Sequence, residues 1–384
     1  MIVAGIMSGT SADGIDVALT RITATGDSPK LRLLAHEAFP FAPPLRKAIL
    51  AAMNAQQTST AELARLNWRL GLAYAEAVKI TCDKHPVKLA LIGCHGQTLY
   101  HQASPQTYAG KRFACTWQAG EASILAGELG IPIVSNFRPA DMVAGGQGAP
   151  LVPLLDYAYF RHARRGRVLQ NIGGIANFTA IPPAATPDQV QAFDSGPGNM
   201  LIDALMLALY RKPYDSNGAI AATGKILEPV LHQSLKHPFF KRIPPKSAGR
   251  EEFGGKYAAT FLAECRNLSK RKEDAIATAT ELTARSIADA YIRFASCKMQ
   301  PSPVDYILSG GGVHNLTLTA RLAQLLEPHR CKITTTDSLG LPAEAKEAAA
   351  FALLAWHTWH RKPANVPSAT GATRPAILGQ VTYA

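Results

Sequence analysis

Gly5-Ile6-Met7-Ser8-Gly9-Thr10-Ser11-Ala12-Asp13-Gly14-Ile15-Asp16 is a small-residue turn set between two apolar runs. Residues 2–6 read as a buried strand, and residues 15–22 alternate well enough to be a second. Glycine removes the Cβ barrier, so such a turn lets backbone N–H groups come close to phosphate oxygens. Asp13 and Asp16 carry the sign of phosphate and cannot neutralise it; beside phosphate, a carboxylate orients a hydrated Mg²⁺. The loop therefore reads as a hairpin cradle for a Mg-nucleotide. An ordinary glycine-rich hairpin is the alternative, because one glycine loop is weak evidence.

The rest of the chain supplies the context. After a third strand at 31–39 come helices at 45–53 and 61–82, a strand at 88–93 and a helix at 120–130. Residues 131–135 open a strand that reads as the start of a new domain. Three strands then recur at 167–172, 176–181 and 189–193, the last ending at Asp194. Helices follow at 198–210, 255–268 and 274–297, then a strand at 304–308, a helix at 316–326, a strand at 332–336 and a helix at 342–361. Residues 363–373 look loop-like. The order of three strands, helix, strand and helix thus appears twice. This predicts an α/β chain with duplicated β-β-β-α-β-α cores in two lobes around a central cleft, residues 1–133 plus 355–384 and residues 134–354. Clefts at domain interfaces are where ligands generally bind.

Three glycine loops sit at corresponding strand ends: 8–14, 172–177 and 309–315. The first two suit the two sides of a triphosphate. The third opens a helix at Asn315 and suits an adenosine moiety. None contains a Walker Gly-Lys-Ser/Thr. The layout looks like the superfamily of sugar kinases, actin and chaperone ATPases, whose two-lobed actin-like ATPase fold is ribonuclease H-like. The expected ATP contacts are Gly9, Thr10, Ser11, Ala12, Asp13, Gly14, Ile15, Asp16, Gly173, Gly174, Asn177, Gly310, Gly311, Gly312 and Asn315. Asp13 and Asp16 are expected to hold Mg²⁺ through water.

Bulk properties set the limits. At 384 residues the chain exceeds the usual single core. Its apolar fraction of 47% and charged fraction of 18% are those of a globular enzyme. No apolar run reaches the ~18 residues a membrane span needs, and no basic leader precedes the first strand, which points away from secretion. The cysteines are scattered without a CxxC pair, which suggests thiols in a reducing compartment and hence the cytoplasm. The net charge of +12 raises nucleic acid as a partner. Its clusters at 161–167, 270–272 and 241–246 are short, far apart and lack interleaved aromatics. They read instead as solvated helix ends and loops that also attract anionic metabolites.

The full set of motifs goes further. Besides 5–16 it includes Gly93-Cys94-His95-Gly96-Gln97-Thr98, Asn136-Phe137-Arg138-Pro139-Ala140-Asp141 and Gly145-Gly146-Gln147-Gly148-Ala149-Pro150. Residues 171–178, Phe193-Asp194-Ser195-Gly196-Pro197-Gly198-Asn199, 309–315 and 347–352 complete it. Together, in this order and from about residue 2 to 380, they closely resemble the anhydro-N-acetylmuramic acid kinase family. Ser195 stands where that family more often has Thr, which keeps the hydroxyl.

The resemblance implies an ATP-dependent kinase of peptidoglycan recycling. It would open the bridge of 1,6-anhydro-N-acetylmuramic acid with water and phosphorylate O6, giving N-acetylmuramic acid 6-phosphate and ADP. It also implies a homodimer and domain closure. Asp194, at a strand end before the 196–198 turn, fits the base that activates water at C1; capping the next helix is its simpler role. Arg138 fits a partner for the lactyl carboxylate, against a salt bridge to Asp141. Glu347 fits a hydrogen-bond partner of the sugar, against a solvated helix residue. His95 fits a substrate contact or a core histidine, and Gln147 and Asn177 fit ligand contact or turn chemistry. A kinase for another anhydrosugar, such as levoglucosan, would need no partner for a lactyl group. An actin-like or chaperone-like ATPase module would have no use for a sugar-facing base.

Overall fold

The apolar run after Met1 folds as β1 (Ile2–Ser8), which pairs antiparallel with β2 (Gly14–Thr25); β2 pairs in turn with β3 (Ser28–Pro40). β4 (Leu91–Tyr108) runs parallel to β1, β5 (Lys111–Ala119) pairs antiparallel with β4, and β6 (Ile133–Ser135) runs parallel to β4. The computed structural model describes residues 1–25 and 28–384. Contacts divide these into one unit of Met1–Phe160 with Gly340–Ala384 and a second of Arg161–Leu339.

The second unit repeats the pattern. β7 (Gly166–Ile172), β8 (Ile175–Ile181) and β9 (Gln191–Pro197) form an antiparallel meander. β10 (Val304–Ser309) runs parallel to β7, and β11 (Cys331–Thr335) parallel to β10. The orders β6-β4-β1-β2-β3 and β11-β10-β7-β8-β9 are the same, strand for strand and direction for direction. Only the first sheet adds β5 and, beside β6, β12 (Gln380–Thr382). The duplicated α/β core expected from the sequence is therefore a duplication of topology.

The Ala-rich helix Ala343–Trp359 is buried along most of its length against the first sheet. Gly5 and Gly93 make this possible. A Cβ at Gly5 would lie 1.8 Å from the Ala348 carbonyl oxygen, and one at Gly93 2.1 Å from that of Phe351. Gly5 thus serves helix packing, not the turn that follows it.

Several expectations differ from the structure, among them the strand expected to end at Asp194, since β9 runs through that residue to Pro197. The strand expected at 88–93 begins at Leu91 and continues through His95 to Tyr108, since β5 pairs with its second half. Gly96, at φ +78°, is a kink within it and not its end. Residues 131–135 do not open a new domain, because β6 lies between β4 and β12. The first unit consequently takes in residues 134–160 and 340–354, which the sequence reading set in the second lobe.

The basic clusters are less solvated than expected. Arg165 and Arg167 both pair with Asp305, Arg242 pairs with Glu252, and Lys246 is buried. Among the described residues no helix is long and apolar enough to cross a membrane.

Candidate active site

In the first unit, the turn after β1 closes through the Ala12 N–H, which donates to the Gly9 carbonyl at 3.1 Å. Gly9 is open: a Cβ there would meet nothing nearer than Ser11 Oγ at 3.8 Å. Thr10 and Ser11 are exposed, whereas Ala12 (φ +52°) is buried and Ile15 sits in the core. Gly14 is tight, because a Cβ would lie 2.4 Å from the Phe39 carbonyl oxygen. Two side chains hold this turn, Arg46 from outside the quoted motifs and Gln97 from within 93–98. Arg46 Nε donates to the Ala12 carbonyl at 3.0 Å, and Gln97 Nε2 donates to that of Gly9 at 3.0 Å.

Asp13 is exposed and meets Arg46 Nη2 through Oδ1 at 3.3 Å. Asp16, on β2, meets His36 Nε2 through Oδ1 at 3.0 Å. Among the described residues no group of three or more His, Cys, Asp or Glu could cage a metal. Each aspartate keeps Oδ2 without a protein partner among those residues. That donor set fits Mg²⁺, which retains waters and takes one or two carboxylates plus phosphate oxygens.

A second group in the same unit centres on His95, buried on β4 with its ring 4.6 Å from that of Phe351. Arg138, the first residue of the helix Arg138–Val143, donates to His95 Nε2 from Nε at 3.0 Å and Nη2 at 2.8 Å. A nitrogen that accepts carries no proton, so the imidazole is neutral with its hydrogen on Nδ1. Burial and the Arg138 charge hold the His95 pKa well below the ordinary range, in keeping with this. Arg138 Nη1 also donates to the Gly148 carbonyl at 2.7 Å. A guanidinium has five N–H donors, so two have no protein partner among the described residues. Burial lowers the Arg138 pKa to about 10, opposed by Glu347 and Asp141.

Glu347, on the Ala-rich helix, is solvent-accessible. Dense surrounding protein raises its pKa, opposed by Lys346 and Arg138 and reinforced by Asp16. His95, Arg138, Glu347 and Asp16 are thus one electrostatic group.

Asp141 forms no ion pair with Arg138 among the described residues. Its carboxylate accepts from Gly148 N, Asn365 Nδ2 and Thr370 Oγ1, each at 2.8 Å. It stitches the 145–148 loop to the C-terminal segment. Gly146 admits it closely, since a Cβ there would lie 2.2 Å from Asp141 Oδ2. Gln147 is tied through its backbone N–H to the Thr370 carbonyl at 2.9 Å and leaves its side chain exposed.

In the second unit, the other two glycine loops meet. The Gly173 carbonyl accepts Asn199 N–H at 2.7 Å, and that of Gly174 accepts Met200 N–H at 3.0 Å, satisfying the first donors of the helix Asn199–Tyr210. Gly310 (φ +81°) and Gly312 pack against this turn. Their Cβ atoms would lie 2.5 Å from Asn171 Oδ1 and 2.3 Å from Ile172 Cγ2. Gly311 stays open, with Asn199 Nδ2 at 3.7 Å as the nearest atom a Cβ would meet. Asn315 is committed elsewhere: its Oδ1 caps the helix Leu316–Leu326 by accepting Leu318 N–H at 3.0 Å.

Asp194 lies on β9 opposite Asn177 of β8. It does not cap the next helix. Its N–H donates to the Lys246 carbonyl at 3.0 Å, and its Oδ2 accepts Ala248 N–H at 2.7 Å. Oδ1 has no protein partner among the described residues. Burial raises the Asp194 pKa to about 6, opposed by the Ala248 hydrogen bond and Lys246 and aided by Glu251. Neither Lys246 nor Ala248 carried a signal in the sequence, because both reach Asp194 only through the folded chain.

A family model described as anhydro-N-acetylmuramic acid kinase matches residues 1–384. A protein of that name from Bacillus cereus (strain AH187) is 44% identical over 386 residues, covering 100% of this chain and 99% of the relative. Another, from Bacillus thuringiensis subsp. konkukian (strain 97-27), is 43% identical with the same coverage. Among solved structures, the chain aligns with an activator of 2-hydroxyisocaproyl-CoA dehydratase from Clostridium difficile at 12% identity. That alignment covers 94% of this chain and 96% of the other, with a TM-score of 0.44.

Proposed function

The chain belongs to the anhydro-N-acetylmuramic acid kinase family, and from that premise we propose that it opens 1,6-anhydro-N-acetylmuramic acid with water and phosphorylates O6 from ATP. The products are N-acetylmuramic acid 6-phosphate and ADP, and the role is murein recycling. The observation that carries this reading is the family match over the whole chain, residues 1–384. The enzyme is a phosphotransferase. The levoglucosan alternative is not favoured, since the relatives at 43–44% identity bear the muramyl name.

The chemistry follows from what the reaction needs. Water bonds to C1 as the C1–O6 bond breaks, and O6 takes the γ-phosphoryl group as its bond to ADP breaks. The proton of the water goes to Asp194, whose free Oδ1 is the acceptor and whose Oδ2 is held by Ala248. A pKa of about 6 keeps this carboxylate ionised near neutrality while leaving it a stronger base than an ordinary aspartate. No separate acid is required, unlike in two-carboxylate glycosidases, because the phosphoryl group captures the leaving oxygen.

Arg138 uses its two unengaged donors for the lactyl carboxylate, with His95 fixing the plane of the guanidinium. Glu347 and Gln147 line the sugar, and His95 acts on it through Arg138. The open backbones at Gly9 and Gly311 admit ATP, with the neighbouring residues of the three loops. Asp13 and Asp16 would hold Mg²⁺, which would supply neutralisation of the transferring phosphoryl charge. The working form is a cytoplasmic homodimer. Turnover of ATP against a panel of anhydrosugars and open-ring sugars tests the assignment, and equal ADP release without sugar would favour an ATPase module instead.

A further inference from the structure

Lys246 is only 9% exposed, and no carboxylate among the described residues forms an ion pair with it. Its ammonium sits among three aromatic rings, 4.6 Å from the centroid of Phe239, 5.3 Å from Phe294 and 5.7 Å from Phe193. Nζ also donates to the Phe239 carbonyl at 3.4 Å. A buried ammonium is costly unless compensated, and ring faces with one carbonyl are the compensation here. The main chain of the same residue accepts the Asp194 N–H at 3.0 Å. Two residues on, Ala248 N–H donates to Asp194 Oδ2 at 2.7 Å. Lys246 therefore grips consecutive residues, Phe193 through its side chain and Asp194 through its backbone.

We infer that Lys246 is a positioning residue for Asp194: anchored in the aromatic cage, it fixes the 246–248 strap that holds one carboxylate oxygen and frees the other. Its charge also favours the ionised carboxylate. This rests on the reading of Asp194 as the base.

The surrounding charges are accounted for. Glu251 faces Asp194 and works against its ionisation. Arg242 and Arg293 face Lys246 and disfavour its charge, while Asp289 and Asp194 support it. Arg242 is itself paired with Glu252. Burial first, and these groups after it, bring Lys246 down to about 8, so it remains charged near neutrality while Asp194, at about 6, is mostly ionised. Removing the ammonium leaves Glu251 and burial unopposed except by Ala248, so the Asp194 pKa moves up.

The test is the pH profile of kcat/KM for the wild type, Lys246→Met, Lys246→Arg and Asp194→Asn. Methionine fills the cage without charge. The acid limb of Lys246→Met should move up by about 0.5–1 pH unit, with kcat reduced more than the KM for ATP is raised. Lys246→Arg, which keeps the charge, should bring the limb back towards the wild type. Should Lys246→Met not fold, Lys246→Gln is read in the same way. A lower kcat with an unmoved limb, or unchanged kinetics, overturns the inference. If Asp194→Asn turns over normally, the base assignment itself fails. If Asp194→Asn is inactive and the limb of Lys246→Met stays put, the role of Lys246 alone fails.

Discussion

Arg138 donates from both Nε and Nη2 to a single acceptor, Nε2 of His95, at 3.0 and 2.8 Å. A buried neutral histidine thus orients a guanidinium whose remaining donors are available for a ligand. The arrangement gives His95 a role through Arg138. It also distinguishes Arg138 from Asp141, whose partners are Gly148, Asn365 and Thr370.

Arg138→Ala should weaken turnover of the muramyl sugar more than that of a lactyl-free analogue. A hydrogen bond to a charged group contributes roughly 1.5–3 kcal/mol, or about 10- to 150-fold in kcat/KM. Loss of the His95 and Gly148 contacts adds a component common to both sugars. The quantity to measure is therefore the ratio of kcat/KM values for the two sugars. An unchanged ratio would mean that Arg138 serves only to hold the 145–148 loop.

Gly9→Val and Gly311→Val should abolish ATP binding in a folded protein. Both positions are open, with no protein atom closer than 3.7 Å to a new Cβ, and a larger side chain fills the space left for the ligand. Gly5→Val is the contrasting variant. Its Cβ would fall 1.8 Å from the Ala348 carbonyl oxygen, so its effect should be a large loss of thermal stability. Calorimetric titration with ATP beside thermal melts separates the two outcomes. Normal ATP affinity in a folded Gly9→Val or Gly311→Val protein would remove that loop from the nucleotide site.

The two meanders and their glycine turns were legible because alternation and turn chemistry are local. Strands at 2–6 and 15–22 could be read without knowing what they pack against, as could 167–172 and 176–181, each lying within the strand observed. The continuation of β4 past His95 was not legible, since Gly96 looks like a strand end and β5 supplies the pairing from beyond a turn. Asn315 reads as a nucleotide contact where a glycine loop opens a helix, but its side chain is the cap of that helix. Lys246 looked like part of a solvated basic run; the rings that bury it come from 193, 239 and 294. Contacts spanning such sequence distances leave no periodic trace.

Asp194→Asn should lose about 10²–10⁴ in turnover and keep its affinity for ATP, as removal of a general base does. The stability effect has the opposite sign. Asp194 titrates at about 6 in the folded chain and at 3.8 ordinarily. The folded state therefore binds more protons than the unfolded one across that window, and the contribution of this group to stability falls as pH rises through it. Above the window the charge opposes folding, so Asp194→Asn should melt no lower than the wild type at pH 8. Melting scans at pH 5 and pH 8 check this. A markedly lower melting temperature at pH 8 would identify Asp194 as a structural anion.

The central claim is that bridge opening and phosphorylation are one reaction. Purified protein, ATP, Mg²⁺ and 1,6-anhydro-N-acetylmuramic acid are incubated, ADP is counted, and the sugar product is weighed by mass spectrometry. The account predicts one ADP per sugar and a product heavier than the substrate by one phosphoryl group and one water, with neither ADP nor product formed when the sugar is omitted. A phosphorylated sugar with its anhydro bridge intact, or ADP release that ignores the sugar, would contradict it.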